Sequence, residues 1–167
     1  MALEILKATQ EDKPILRRML ELHQHDLSSF SNADLNQHGE FGYPYLDHYW
    51  TEPERHSYLA RLSGKLAGFA LVNTHHYLPE SDYSMAEFFV MKRYRRQGLG
   101  RAMAMHIFEQ HPGIWEIRQL PGHTEAVTFW KNTIRDRTPE IFKEILGGYG
   151  DWPGPILQFN YSENQFR

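Results

Sequence analysis

The chain contains no cysteine, which excludes a disulfide framework, a thiol nucleophile and any cysteine-based zinc site. It has no apolar run near the roughly 20 residues that span a bilayer. Its first residues, "MALEILKATQEDK", lack the basic start and apolar stretch of a secretory leader. It also lacks an excess of positive charge: 18 Lys and Arg stand against 21 Asp and Glu, for a net charge of -3. No global basic field is therefore present to attract nucleic acid. Internal repeats and low-complexity linkers are missing too, so no domain boundary suggests itself. These absences together predict a cytoplasmic protein with no membrane or nucleic-acid partner, folded as one domain over 1–167. A hydrophobic content of 41% and a charged content of 23% are ordinary for a globular chain of this size.

Periodicity gives the order of elements. "LEILKA" reads as a short first strand, and Thr9 and Asp12 stand at capping-box spacing before Ile15, Leu16, Met19, Leu20 and Leu22. From Asp26 to Pro53 the pattern fades into an aromatic and polar stretch, expected to be loops with one short helix. "HSYLARLSGKLAGFALVNTHHYL" reads as a hairpin turning at Ser63-Gly64-Lys65, and "MAEFFVMKRY" as the next strand. A helix after Gly100 carries Met103, Ala104, Ile107 and Phe108 on one face and stops at Pro112-Gly113. "IWEIRQL" is a strand, and a helix capped by Thr124 follows. "FKEILGG" and "PILQFNY" close the chain as a hairpin. The order predicts an α/β fold with a mixed sheet.

The segment "RRQGLGR" sits between a strand and a helix N-terminus, where unpaired amides and the helix dipole favour an anion. Its glycines permit close backbone approach, and Arg93, Arg95, Arg96 and Arg101 add charge suited to phosphate. Two nucleotide loops are excluded. A Walker loop needs Lys-Ser/Thr after its last glycine, and Arg101-Ala102 stands there; a dinucleotide fingerprint needs a third glycine where Met103 stands. On local chemistry alone, a solvated turn with exposed arginines remains the alternative.

Arg95-Arg96-Gln97-Gly98-Leu99-Gly100 resembles the Arg/Gln-x-x-Gly-x-Gly/Ala signature of the GNAT superfamily of N-acetyltransferases. The context is similar as well: Val90 ends a strand five residues before Arg95, Tyr94 precedes the arginine, and the element order follows the GNAT fold over most of the chain. The resemblance implies a splayed mixed sheet of about six to seven strands flanked by helices. It also implies acetyl-CoA as cosubstrate, its pyrophosphate on the amides of Arg95, Arg96, Gln97, Gly98, Leu99, Gly100 and Arg101. The main chain of Phe89, Val90 and Met91 would pair with the pantetheine arm as an added strand. The family pattern Asn-x-x-Ala-x-x-Phe-Tyr aligns with His123-Thr124-Glu125-Ala126-Val127-Thr128-Phe129-Trp130, which places His123 and Trp130 beside the cofactor. His123 replaces the Asn, and Trp130 replaces a Tyr that often protonates the departing thiolate. An indole N–H donates a hydrogen bond but is no usable acid, so the general acid stays unassigned.

Glu87 is the general-base candidate, because many GNAT enzymes carry a Glu on this strand. Partly desolvated by Phe88 and Phe89, it could accept a proton near neutrality. Alternatively it pairs with a cation on a neighbouring strand. With no cysteine, transfer is expected to be direct, in a ternary complex. Residues 39–58 hold Glu40, Asp47, Glu52 and Glu54 against Arg55 alone, among six aromatics. They suit a small or peptidyl cationic amine, or serve simply as a packing segment. Ten histidines include His23-Gln24-His25 and His75-His76, but neither belongs to a recognisable metal motif, and no metal is expected. His75, His76 and Tyr77 are candidate cleft-lining residues instead. The expected state is a monomer or homodimer. A CoA-binding sensor or interaction module without turnover is the rival reading.

Overall fold

The computed structural model describes residues 2–137 and 143–162. Strand β1 (Leu3–Lys7) leads into a 3-10 turn at Gln10–Asp12 and helix α1 (Lys13–Ser31). The Thr9 amide and hydroxyl both donate to Asp12 Oδ2, at 2.8 and 3.1 Å. Pro14 stands in the first turn of α1, where its missing N–H leaves no acceptor unsatisfied. Helix α1 runs through Ser31, beyond the point where its apolar periodicity fades. Its last turns are held by tertiary contacts: Asp26 pairs with Arg95 and Phe30 stacks on His123. The short helix expected in the following segment is a 3-10 turn at Leu46–Trp50.

Strands β2 (His56–Leu62) and β3 (Lys65–Asn73) form the expected hairpin. Ser63 and Gly64 both have positive φ, 49° and 79°, as a two-residue hairpin turn requires. Strand β4 (Tyr83–Val90), helix α2 (Leu99–Gln110), strand β5 (Gly113–Arg118) and helix α3 (Thr124–Arg135) follow. Thr124 is the first residue of α3 rather than its cap, a position taken by His123. Strands β6 (Lys143–Ile145) and β7 (Ile156–Tyr161) pair as the closing hairpin; Phe142, which the sequence places in it, lies outside the described residues.

Among the described residues, seven strands form one mixed sheet in the order β1-β2-β3-β4-β5-β7-β6, in which β4 and β5 alone are parallel neighbours. One face packs on α1 through Leu16, Met19, Leu20, Leu59, Phe69, Leu71 and Phe89. The other packs on α2 and α3 around Phe108, Trp115 and Trp130. Expected core residues Met103, Ala104, Ile107 and Phe108 are fully buried.

The sheet opens along one seam. β4 and β5 pair only at Tyr83–Trp115 and Ser84–Glu116; beyond that β4 stays with β3 and β5 with β7. Asp82 closes the seam at its paired end: its amide donates to Ile114 O at 2.7 Å, and its Oδ2 accepts from the Ile114 amide at 2.8 Å. The register of β3 against β4 slips between Leu71–Glu87 and Val72–Met85, leaving Ala86 as an extra residue. Such a bulge bends its strand and increases its twist, here just past the last β4–β5 pair.

Gly68 in β3 lies against the diverging part of β4, where a Cβ would come within 2.5 Å of Phe89 O. Gly68→Ala must therefore push the two strands apart. The expected loss is about 1–3 kcal/mol, typical of overpacking, read as a drop of about 3–10 °C in the unfolding midpoint.

Candidate active site

The phosphate-loop candidates lie at the open end of the seam. β4 ends at Val90, a short 3-10 turn (Lys92–Tyr94) follows, and the chain enters α2 through Arg96 and Gly98, with φ of 60° and 83°. A residue with a Cβ resists that left-handed geometry at Gly98, although nothing lies within 4 Å of where the Cβ would be. The first helical bond of α2 runs from Ala102 N–H to Gly98 O. The amides of Leu99, Gly100 and Arg101 thus precede any acceptor in their own helix, as at every helix start. Gly100 has a second role: its Cβ would meet the Phe129 ring at 3.2 Å and Val90 at 3.4 Å, so α2 packs tightly on β4 and α3 there. Arg96, Gln97 and Gly98 are exposed and Leu99 is buried.

Two of the motif's arginines use their side chains within the fold. Arg95 Nε donates to Val90 O at 2.6 Å and its Nη2 to Asp26 Oδ2 at 2.5 Å, while the Arg95 amide donates to Lys92 O. Arg101 pairs with Asp136 at 2.5 Å. Arg95 thereby links α1, the end of β4 and the loop. Arg95→Ala is expected to lower the unfolding midpoint through loss of the charge-assisted bond to Asp26, about 1.5–3 kcal/mol, and to weaken acetyl-CoA binding indirectly, by loosening the loop. Arg95→Lys should not restore either in calorimetry, because one ammonium cannot span both acceptors.

Along β4 the main chain alternates. The Met91 amide donates to Ala67 O on β3 at 2.8 Å, so the polar groups of Phe89 turn to β3 as well, while those of Phe88 and Val90 turn into the opening. Of the three residues expected to meet an extended ligand, Val90 has its main chain on the gap side. Phe88, whose main chain was not among those expected to meet the ligand, faces the same way.

Glu87 lies three residues beyond Ser84, the last β4 residue paired with β5. Its side chain is on the α1 face. There its Oε2 lies 2.8 Å from Nε2 of His23, and its side chain is 22% exposed. The partner thus comes from a helix rather than a neighbouring strand. Tyr43 and Tyr49 approach the same face, close enough to Glu87 to feel its charge. Burial pushes the Tyr43 phenol well up from its usual range, and the negative charge of Glu87 pushes it further. Burial also raises Tyr49, so both hydroxyls stay protonated at neutral pH. Asn73 Nδ2 donates to the Tyr49 hydroxyl at 3.4 Å, and its Oδ1 accepts from the His75 amide at 3.1 Å.

On the same face of β5, Glu116 is fully buried. It accepts from the amides of Tyr77 and Leu78 at 3.0–3.1 Å and from Arg118 at 2.6 Å. Arg118 in turn lies over the rings of Tyr77 and Trp152, at 5.0 and 5.7 Å. This fastens the β3–β4 loop, with His75 and Tyr77, to β5.

The acidic aromatic segment divides its roles. Asp47 pairs with Lys13 and Glu52 with Arg55; Leu46 and Tyr49 are core, and the Trp50 indole donates to Ala8 O at 3.2 Å. Much of it packs, and Tyr43 and Tyr49 are the two that reach the Glu87 face. Trp130 is buried against Phe88 and Phe129, with ring centroids 4.7 and 4.9 Å away. His123 stacks on Phe30 at 4.4 Å, and burial lowers its affinity for a proton. Among the described residues, no group of three or more His, Asp or Glu is placed to hold a metal ion, and no helix is long and apolar enough to cross a membrane.

Known proteins share this fold. A solved acetyltransferase from Thermus thermophilus matches with a TM-score of 0.70 at 15% identity, over 96% of this chain and 97% of its own. A ribosomal-protein alanine N-acetyltransferase from Escherichia coli matches at 0.60 and 14%, over 96% and 95%. AAC(6')-Iy, solved with a CoA-acetylneamine bisubstrate analog, matches at 0.57 and 14%, over 80% and 90%. At these identities the likeness is one of fold. No curated protein sequence matches. The model of the Acetyltransferase (GNAT) family matches residues 16–131, a span holding the opened seam, the Gly98–Gly100 loop and Glu87, and the chain belongs to that family.

Proposed function

We propose that this protein moves the acetyl group of acetyl-CoA directly to a primary amine of a small molecule or peptide, in a ternary complex. The observation that carries the proposal is the seam itself. An unpaired stretch of β4 ends at a helix start with free amides and left-handed Gly98, and one carboxylate stands beside the gap.

The pyrophosphate of acetyl-CoA binds the amides between Gln97 and Arg101, where the α2 dipole favours negative charge. Exposed Arg93 and Arg96 add charge. The pantetheine arm extends along the gap-facing main chain of Phe88 and Val90, which brings the thioester to the level of Glu87. Glu87 takes a proton from the amine as nitrogen attacks the carbonyl carbon. The C–S bond breaks and the thiolate leaves with its electron pair. Trp130 cannot supply the proton, and the thiolate takes one from water. Two similar structures support amine acceptors of either kind: one is named for a ribosomal-protein alanine, and the other holds a CoA-acetylneamine analog. The protein acts in the cytoplasm as a monomer or homodimer, without metal or nucleic acid.

The test is incubation with acetyl-CoA and a panel of primary amines, small and peptidyl, followed by mass spectrometry. Acetylated amine and free CoA in equal amounts are expected. Tight acetyl-CoA binding with no product anywhere on the panel would favour a CoA-binding module instead.

A further inference from the structure

One contact near the seam is not explained by packing or by cosubstrate binding. His23 lies on the buried stripe of α1, after Leu16, Met19 and Leu20, and is 7% exposed. A leucine or methionine would fill that position without needing a partner. The imidazole is instead held edge-on by Phe69 and Phe89, with centroids 5.8 and 5.7 Å away. Those two rings fix its plane, and the bond from Nε2 to Glu87 Oε2 then fixes the carboxylate. The bulge at Ala86 makes the contact available, because it changes the face that the following β4 residues present to α1.

The pair is enclosed from several elements. Tyr43 and Tyr49 approach from the segment after α1, and Arg95, Asp26 and His123 belong to the adjoining loop, helix turn and α3 cap. Arg95 and Asp26 neutralise each other. Among the described residues, His23 is the group that bonds directly to Glu87. A carboxylate offers about four acceptor sites, so one bond from His23 sets its rotamer and leaves it able to take a proton.

We infer that His23 is the positioning residue of the acetyl transfer. It donates its Nε2–H to Glu87 Oε2 and holds the carboxylate at the β4–β5 opening, in line with the attacking amine. The inference rests on the acetyl-transfer reading above. In the step it serves, the amine N–H bond breaks and its proton goes to Glu87. The new N–C bond forms, and the electron pair of the C–S bond departs with sulfur. His23 keeps its own proton throughout and touches neither substrate.

The test compares His23→Phe, His23→Gln and His23→Asn. The Gln amide reaches about as far as imidazole Nε2, and the Asn amide does not. His23→Phe should bind acetyl-CoA with wild-type KM and lose roughly 10- to 100-fold in kcat, the usual cost of a misplaced reacting group. His23→Gln should recover most of that loss. If the Phe variant does not fold, Gln active and Asn slow at equal acetyl-CoA affinity carries the same contrast. Wild-type kcat in His23→Phe, or equal rates for Gln and Asn, overturns the inference. A second readout is independent of turnover. The 15N imidazole spectrum should show His23 protonated on Nε2, and Glu87→Gln should shift those resonances. No shift would overturn the pairing, whereas a wild-type protein that transfers acetyl to no amine would sink the functional reading alone.

Discussion

Gly98→Glu is expected to abolish measurable acetyl-CoA binding while the protein stays folded. Gly98 sits at φ 83° at the N-cap of α2, exposed, with open space where a side chain would go. A left-handed conformation costs a residue with a Cβ about 1–2 kcal/mol, which a chain of this size tolerates with a drop of a few degrees in unfolding midpoint. The same side chain places a carboxylate where the pyrophosphate is proposed to bind. It blocks the approach of phosphate to the amides of Leu99, Gly100 and Arg101 and repels it by charge. Binding should fall by at least 100-fold, about 2.7 kcal/mol, in calorimetry. Gly98→Ala separates the two effects, since it carries the backbone strain without the charge and should bind only several-fold more weakly. Wild-type affinity in Gly98→Glu would remove the phosphate-loop assignment.

Glu87→Gln is expected to leave acetyl-CoA affinity unchanged and to lower kcat by about 100- to 10,000-fold, the range for removing a general base. The amide keeps the size of the carboxylate and can still meet His23, so the fold should not respond. The remaining rate should depend on the fraction of acceptor already deprotonated, and so rise with pH through the acceptor's own titration. Addition of more reactive, weakly basic amines should narrow the gap to wild type. An unchanged kcat with a full panel of amines would take Glu87 out of the reaction.

The features that could be read from the sequence were local ones. Strand, glycine turn and helix lie within Tyr83–Gln110, and their periodicity and glycine placement are visible in a few consecutive residues. The Ser63-Gly64 hairpin was legible for the same reason. What was not legible depends on distant contacts. His23 and Glu87 are 64 positions apart, and the face that Glu87 presents depends on a bulge at Ala86 with no glycine or proline to mark it. The last turns of α1 carry little apolar periodicity and are kept helical by Arg95 and His123, residues far along the chain. Arg95 looked like a phosphate ligand by charge, yet its side chain holds Val90 O and Asp26. A His in an apolar stripe, as in Leu16-x-x-Met19-Leu20-x-x-His23, was the one available hint of a buried polar contact.

On the proposed function, the β4–β5 opening is an acetyl-CoA site with Glu87 at the reacting end. A crystal structure with CoA bound tests it most directly. The prediction is pyrophosphate on the Gln97–Arg101 amides, pantetheine hydrogen-bonded to the main chain of Phe88 and Val90, and sulfur in the gap beside Glu87. CoA bound away from the opening, or seated there with its sulfur turned away from the α1 face, would contradict it.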